Sequence, residues 1–368
     1  MGKVGKVVLV TGVARPLGAR FARRVGREPG VSRVVGVDAR PPAGDLGGAE
    51  FVQADIRQPV IGTVLAEYAV DTVVHMDLHG TPLAPGGGGR GAVKETNVIG
   101  AMQVLGACQK APAVARLVIK STTSVYGSAP RDPAVFDETT EVRSLPGGGF
   151  AKDAVEVEGY VRGFARRRPD VSVTVLRFAH ILGPAGESPL AAYFALPVLP
   201  TVLGYDPRLQ FVHDDDVVDV LLLAAGEPRS GALNAGTFNI AGDGAMLLSQ
   251  CARRLGRPTV PTLLPAIRWG GGVLRSVGFT DFSPEQLRLL THGRVVHTGY
   301  ARDVLGFAPR RTTAATLEAF GRAHGPGLLP PGRLARAVDR LAASLPGDPG
   351  PAAGSAGAER EEEVPHRG

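Results

Sequence analysis

The sequence predicts an α/β fold, a doubly wound parallel sheet with a smaller C-terminal lobe for a substrate. Three observations predict it. Short β-branched runs alternate with helical patterns through the first half, which is the signature of βαβ units. A buried strand at the N-terminus turns tightly through glycine into a helix. From about residue 179 the alternation loosens into proline-rich and mixed segments, as expected of a lobe built from insertions after the last strands.

Taken in order, the expected strands are Lys6 to Thr11, Arg33 to Val37, Glu50 to Gln53, Thr72 to His75, Arg116 to Lys120 and Ser172 to Arg177, giving six in the sheet. Helical segments fall between them at Leu17 to Gly26, Val60 to Tyr68, Ala92 to Lys110 and Phe150 to Arg166. In the third, Val98, Met102, Leu105 and Gln109 follow a helical stripe with one polar member. Gly86 to Gly89, with Pro82 and Pro85 ahead of them, read as a loop, as do Gly147 to Gly149. Leu334, Val338, Leu341 and Leu345 recur at helical spacing and predict an amphipathic C-terminal helix packed on its own domain. Residues 346–368, rich in Pro, Gly, Ala and Glu, are expected to be disordered. The division expected is a nucleotide-binding unit over 1–178 and a substrate lobe over 179–345, with segments near 211–223 and 237–240 returning to the first unit.

Composition narrows the function classes. The chain has 368 residues, 44% of them hydrophobic and 21% charged, which fits a folded globular protein better than a disordered chain or a membrane bundle. The apolar run from Val217 to Ala225 is broken by Asp219 and too short to span a bilayer. The N-terminus enters its first strand too soon for a cleavable signal, so a cytoplasmic protein is expected. Cys108 and Cys251 are far apart, without CxxC or His spacing, and read as small core residues. The net charge of +6 comes from scattered arginines, which suits attraction of anionic nucleotides rather than a nucleic-acid-binding stripe.

The strongest local signal is the strand Val7 to Val10 followed by Thr11, Gly12, Val13, Ala14, Arg15, Pro16, Leu17 and Gly18. Glycine at such a turn lets backbone approach a pyrophosphate, and the helix N-terminus supplies amide donors and positive dipole. Asp38, after the second strand, is placed to accept from adenosine ribose hydroxyls and repel a 2′-phosphate, favouring NAD. Arg15 and Arg40 pull toward NADP, because a guanidinium there would welcome the phosphate. Asp55 and Ile56 are placed to flank an adenine ring. His75, Asp77 and His79 alternate like metal ligands, but the strand should end at His75, so loop groups near a cofactor are preferred. His213 to Asp216 read as a structural segment rather than a cation site, and no metal is expected.

These residues, with Val73 to His75, Asn97 to Gly100, Ser121 to Gly127, Leu176 to Pro184, Phe211 to Val217 and Thr237 to Ile240, resemble the extended short-chain dehydrogenase/reductase family. The likeness, over roughly residues 5 to 320, is to its NAD-dependent epimerase/dehydratases of the UDP-glucose 4-epimerase type. It implies a Rossmann-like sheet for NAD(P), a lobe closing over a nucleotide sugar, and a homodimer through the helices Ala92 to Lys110 and Phe150 to Arg166. By position it implies cofactor contacts at Gly12, Arg15, Leu17, Gly18, Asp38, Asp55, Ile56, His75, Asn97 and Lys120. Thr122 falls where the family's catalytic Ser/Thr hydrogen-bonds the reacting hydroxyl, and His180 and Arg208 fall at substrate-binding positions.

The departures are as informative. Where the family has its Tyr-x-x-x-Lys, this chain has Phe150 and Ala154. A phenyl ring has no proton to transfer, and a positioned acid or base contributes about 10²- to 10⁴-fold. Lys152 should point away from Phe150 on the helix, leaving Tyr126 and Asp153 as candidate substitutes. Arg15 stands in place of the loop's middle glycine and must point outward, crowd the pyrophosphate or pair with it, and His180 replaces a substrate-contacting Asn. Two readings follow: an enzyme moving hydride with a nonstandard proton carrier, or a non-catalytic sensor or scaffold that binds dinucleotide or sugar nucleotide.

Overall fold

The computed structural model describes residues 5–80, 89–141, 148–184, 188–227, 234–263 and 284–325. The expected loop residues Gly86 to Gly88 and Gly147, the helix over 333–345 and the tail over 346–368 lie outside them. The main sheet contains β1 (Lys6–Thr11), β2 (Val31–Asp38), β3 (Glu50–Gln53), β4 (Thr72–His75), β5 (Arg116–Thr122), β6 (Ser172–Phe178) and β11 (Gly236–Ile240). Its order is β11-β6-β5-β4-β1-β2-β3, and every neighbouring pair is parallel. Seven strands therefore replace the six expected. β11 is the addition: residues 237–240 are expected to return to the first unit, and the structure makes them an edge strand paired with β6, an entire inserted segment earlier in the chain.

Successive residues of β1 face opposite sides of the sheet, and the two faces have separate cores. Leu9 packs with Val35, Val73 and Leu117 beneath helices α2 (Ile61–Glu67), α4 (Ala101–Lys110) and α5 (Gly149–Arg167). Val8 and Val10 pack with Val74 and Val118 against α1 (Pro16–Val25) and α7 (Asp214–Ala225). This is why the strands read as nearly unbroken apolar runs: both faces are covered. The helix expected from Ala92 begins as α3 (Arg90–Lys94), widens into a π-helical turn at Glu95–Gly100, and continues as α4.

A third core lies in the C-terminal half. Phe194 of α6 (Pro189–Ala195), Phe211, Leu317 and Phe320 pack there with ring contacts among the aromatics. Around it β7 (His180–Leu182) pairs with β10 (Phe211–His213), β8 (Leu199–Val202) with β13 (Thr259–Thr262), and β9 (Arg208–Leu209) with β12 (Met246–Leu247). No described helix is long and apolar enough to cross a membrane.

The glycines of the first turn set how α1 sits on the sheet. A Cβ on Gly18 would overlap the Gly12 carbonyl, so α1 reaches its depth only because residue 18 has no side chain. Gly18→Ala should therefore lower the thermal midpoint clearly. Gly91→Ala, with open space around its position, should leave it unchanged or raise it slightly. Parallel thermal melts of the two variants check this.

Candidate nucleotide and substrate site

All seven strands point their C-terminal ends to one edge, and the chemistry-bearing residues collect there, as open α/β sheets dictate. Gly12 turns the chain out of β1 with a φ of +78°, a conformation open to glycine. Arg15 caps α1 through its backbone, and Leu17 is buried beneath it. Asp38, at the end of β2, accepts Ala14 N–H at 2.9 Å and Arg40 N–H at 3.2 Å, so one carboxylate fixes the turn on both sides. Each oxygen retains a lone pair for a further donor.

Arg15 does not point outward. It is 9% exposed and faces Asp38 and Asp77. Asp77, expected as a loop group near a cofactor, has its Oδ1 3.5 Å from where a Cβ on Gly12 would stand, inside the turn itself. Burial raises the pKa of both Asp38 and Asp77, and in Asp38 the charge of Asp77 adds to it. His79 meets Asp77 at 2.8 Å. His75 Nδ1 instead lies 2.9 Å from Thr11 Oγ1, and the alternating His75, Asp77 and His79 do not converge on a point.

Asp55 is held by Arg57 at 2.6 Å, which lowers its pKa, while Ile56 is buried under Gly100. Asn97 sits within the π turn, accepts His79 N–H at 2.9 Å, and donates to His79 O and to Asp153 Oδ2. Lys120 donates to Leu78 O at 2.9 Å, fastening the loop that leaves β4. These residues line one edge and can together receive an extended, anionic nucleotide.

Next to them stand the residues expected to face a substrate. Thr122 ends β5; its Oγ1 accepts Ser124 N–H at 3.1 Å and donates to Ser124 Oγ at 3.2 Å. The Phe150 ring lies against the Gly80 backbone, and Ala154 is fully buried. Lys152 is exposed. The two candidate substitutes are engaged elsewhere. Tyr126 donates to Asn239 Oδ1 at 2.9 Å and accepts from Arg177 at 2.8 Å, and burial raises its pKa. Asp153 is 1% exposed and bound by Asn97 and, at 2.7 Å, by Arg90. Arg208 is exposed and donates to Ala134 O.

Three residues outside the expected set complete this side. Glu285, on the helix Pro284–His292, accepts Ala151 N–H at 3.1 Å through Oε2. Arg294 is buried and donates to Gly127 O at 2.9 Å and Ser124 Oγ at 3.1 Å. Ser124 itself lies within the run Ser121 to Gly127, two residues after Thr122. His180 faces Arg294; its Nε2 is enclosed without a hydrogen-bond partner, and burial pulls its pKa down to about 3. Among the described residues, His213, Asp214 and Asp215 are the group whose ligand atoms converge, and Arg20 and Arg311 already neutralise them.

The sequence profile of the NAD-dependent epimerase/dehydratase family matches residues 8–241. An uncharacterised protein of Mycobacterium tuberculosis is 46% identical over 326 residues, spanning 87% of this chain and 84% of its own. Among solved structures, UDP-glucose 4-epimerase from Thermotoga maritima, crystallised with UDP-glucose, has a TM-score of 0.63 and 20% identity, covering 86% of this chain and 98% of that one. The dTDP-glucose 4,6-dehydratase of Bacillus anthracis, in complex with NAD, has a TM-score of 0.63 and 17% identity, covering 87% and 96%. At these identities the likeness is one of fold.

The buried histidines give the edge a pH signature. His75 is fully buried, and desolvation lowers its pKa from 6.5 to about 4. Between those values the unfolded chain binds the proton and the folded chain does not, so stability present above pH 6.5 is lost as pH falls. From pH 6.5 to 5 this is on the order of 2 kcal/mol for His75. The raised carboxylates Asp38 and Asp77 work in the opposite direction. His75→Gln should therefore lose less stability than the native protein over this range, measured as the change in denaturation free energy with pH.

Proposed function

Because the chain belongs to the NAD-dependent epimerase/dehydratase family, we propose that it binds NAD and oxidises a hydroxyl group of a nucleotide sugar by hydride transfer, with the proton carried by a group other than residue 150. The observation that carries this reading is the placement of Thr122 at the same sheet edge as the Gly12 to Gly18 turn. Thr11 of that strand registers with His75, and His75 with Ile119 of β5, three residues before Thr122.

The edge fits a dinucleotide. Residues 12 and 18 have no side chain to obstruct a pyrophosphate, and Asp38 keeps acceptor capacity for ribose hydroxyls. Arg15 and Lys120 bring positive charge to offset Asp38 and Asp77. NAD, when bound, supplies the hydride acceptor. Leu17, Asp55, Ile56, His75 and Asn97 shape its seat, Thr122 hydrogen-bonds the reacting hydroxyl, and His180 and Arg208 contact the sugar nucleotide. UDP-glucose and NAD in the structures of like fold support this pairing of ligands. The competing reading, a sensor that binds without turnover, draws on Phe150 and Ala154.

We further propose that two copies pair through α4, the π-helical turn before it, and α5, where Ile99, Met102 and Tyr160 are about 40% exposed; sedimentation should give a mass twice that of one chain, and a monomer overturns this. For the ligand, protein purified without added nucleotide and then denatured should release NAD(H), identified by mass spectrometry. Protein that is empty and fails to bind added NAD or NADP overturns the proposal. In a panel of UDP- and dTDP-sugars with NAD, Thr122→Val should lower turnover about 10²-fold or more.

A further inference from the structure

With Phe150 and Ala154 in place of a proton-carrying pair, the site needs another route for the substrate proton. The hydroxyl network around Ser124 supplies one whose direction is fixed by counting. A serine hydroxyl has one proton to give and two lone pairs to receive with. Ser124 Oγ receives from Arg294 Nη2 at 3.1 Å and from Thr122 Oγ1 at 3.2 Å. Arg294 can only donate. Thr122 Oγ1 already accepts the Ser124 backbone N–H, which leaves its proton for Ser124. Both lone pairs of Ser124 are thus filled, which leaves its own proton to give, and the carboxylate that faces it is that of Glu285, held at this end of α5 by Ala151 N–H at 3.1 Å.

We propose that Glu285 is the proton carrier of this site, receiving the substrate proton through Thr122 and Ser124. This rests on the reading above that Thr122 meets the reacting hydroxyl. In the oxidative direction the substrate O–H bond breaks, its proton passes to Thr122, Thr122 gives its own to Ser124, and Ser124 gives its own to Glu285. The accompanying carbon-bound hydride leaves to the oxidised nicotinamide dinucleotide, so the alcohol is oxidised as the dinucleotide is reduced and Glu285 ends as the carboxylic acid. The reverse sequence returns the proton when the carbonyl is reduced.

Glu285 is well placed for that exchange. Its Oε2 is anchored by Ala151 N–H, the residue after Phe150, and a Cβ on Gly149 would lie 2.7 Å from it. The carboxylate therefore sits at the start of α5, beside the position from which the tyrosine is missing. The charged groups facing it are Arg294 and Arg90, while Asp132 and His180 bear on Arg294. Burial outweighs the two cations and raises the Glu285 pKa, which brings it toward the pH at which a general acid and base works best.

The test combines Glu285→Gln, which keeps an acceptor for Ala151 N–H, with the pair Phe150→Tyr and Ala154→Lys. UDP-glucose, UDP-glucuronic acid and dTDP-glucose serve as probes with NAD, and NAD affinity is measured by calorimetry on every variant. Expected are turnover by the native protein, a loss of about 10²- to 10⁴-fold in Glu285→Gln with NAD affinity kept, and loss of the acidic limb of the pH–rate profile. Ser124→Ala should show the same loss. In the Phe150→Tyr/Ala154→Lys background, Glu285→Gln should cost little, because the tyrosine then moves the proton. As a readout without turnover, the infrared band of a protonated carboxyl group that titrates in the native protein should vanish in Glu285→Gln.

A Glu285→Gln loss of equal size in both backgrounds would make Glu285 structural and overturn the assignment. Turnover only after Phe150→Tyr and Ala154→Lys would overturn it while leaving the proposed function standing. NAD binding with no turnover in any variant would also overturn it. Failure of every variant to bind NAD would overturn the proposed function itself.

Discussion

The buried pair of Glu158 and Arg177 is the interaction on which the site depends. It joins α5 to β6 at 2.6 Å, with both side chains largely enclosed. Ser121 donates to the same carboxylate at 2.6 Å, and Arg177 donates to the Tyr126 hydroxyl, which in turn donates to Asn239 of β11. One ion pair thus connects α5, β5, β6, β11 and the turn that carries Thr122 and Ser124. Two buried charges are tolerated here because nearly every oxygen and nitrogen has a partner, and removing one member of such a pair typically costs about 3 to 5 kcal/mol. Tyr126 is part of this frame, which is the physical reason its hydroxyl is engaged rather than presented to a ligand.

The nucleotide edge shows a second adjustment. A side chain at the middle position of the first turn, Arg15, is accompanied by a carboxylate, Asp77, drawn into the turn next to Gly12. Opposite charges entering together cost less than either alone, since an isolated buried charge loses its hydration without compensation. Asp77 is further steadied by His79, whose backbone is clamped by Asn97. The same logic explains the acidic run after β10. Asp214 and Asp215 begin α7, where their charge complements the helix dipole, and Arg20 and Arg311 hold them in place.

The C-terminal half acts on the site by what it brings over the edge. Glu285, at the start of the helix Pro284–His292, reaches the start of α5, and Arg294, just beyond that helix, reaches the turn after β5. Phe136 pairs with Val296 nearby, so the segment carrying Arg294 is tied to the chain following that turn. The apolar Phe150 ring packs on Gly80, and the polar work at the start of α5 passes to groups from a distant part of the sequence.

Local periodicity and single residue types are enough to establish the parallel α/β architecture, six of the seven sheet strands, the glycine turn with Asp38, and the absence of a tyrosine and a lysine at 150 and 154. Folding adds what these patterns do not hold: the pairing of the returning segment 237–240 with β6 as a seventh strand, the inward turn of Arg15 to Asp77, and the arrival of Arg294 at Ser124 and of Glu285 at Ala151. These contacts join residues separated by up to 170 positions, and no local pattern encodes a partner at that distance. What selects them is burial: once a charged or hydroxyl group is enclosed it must find a counterpart, and the fold determines which one is within reach.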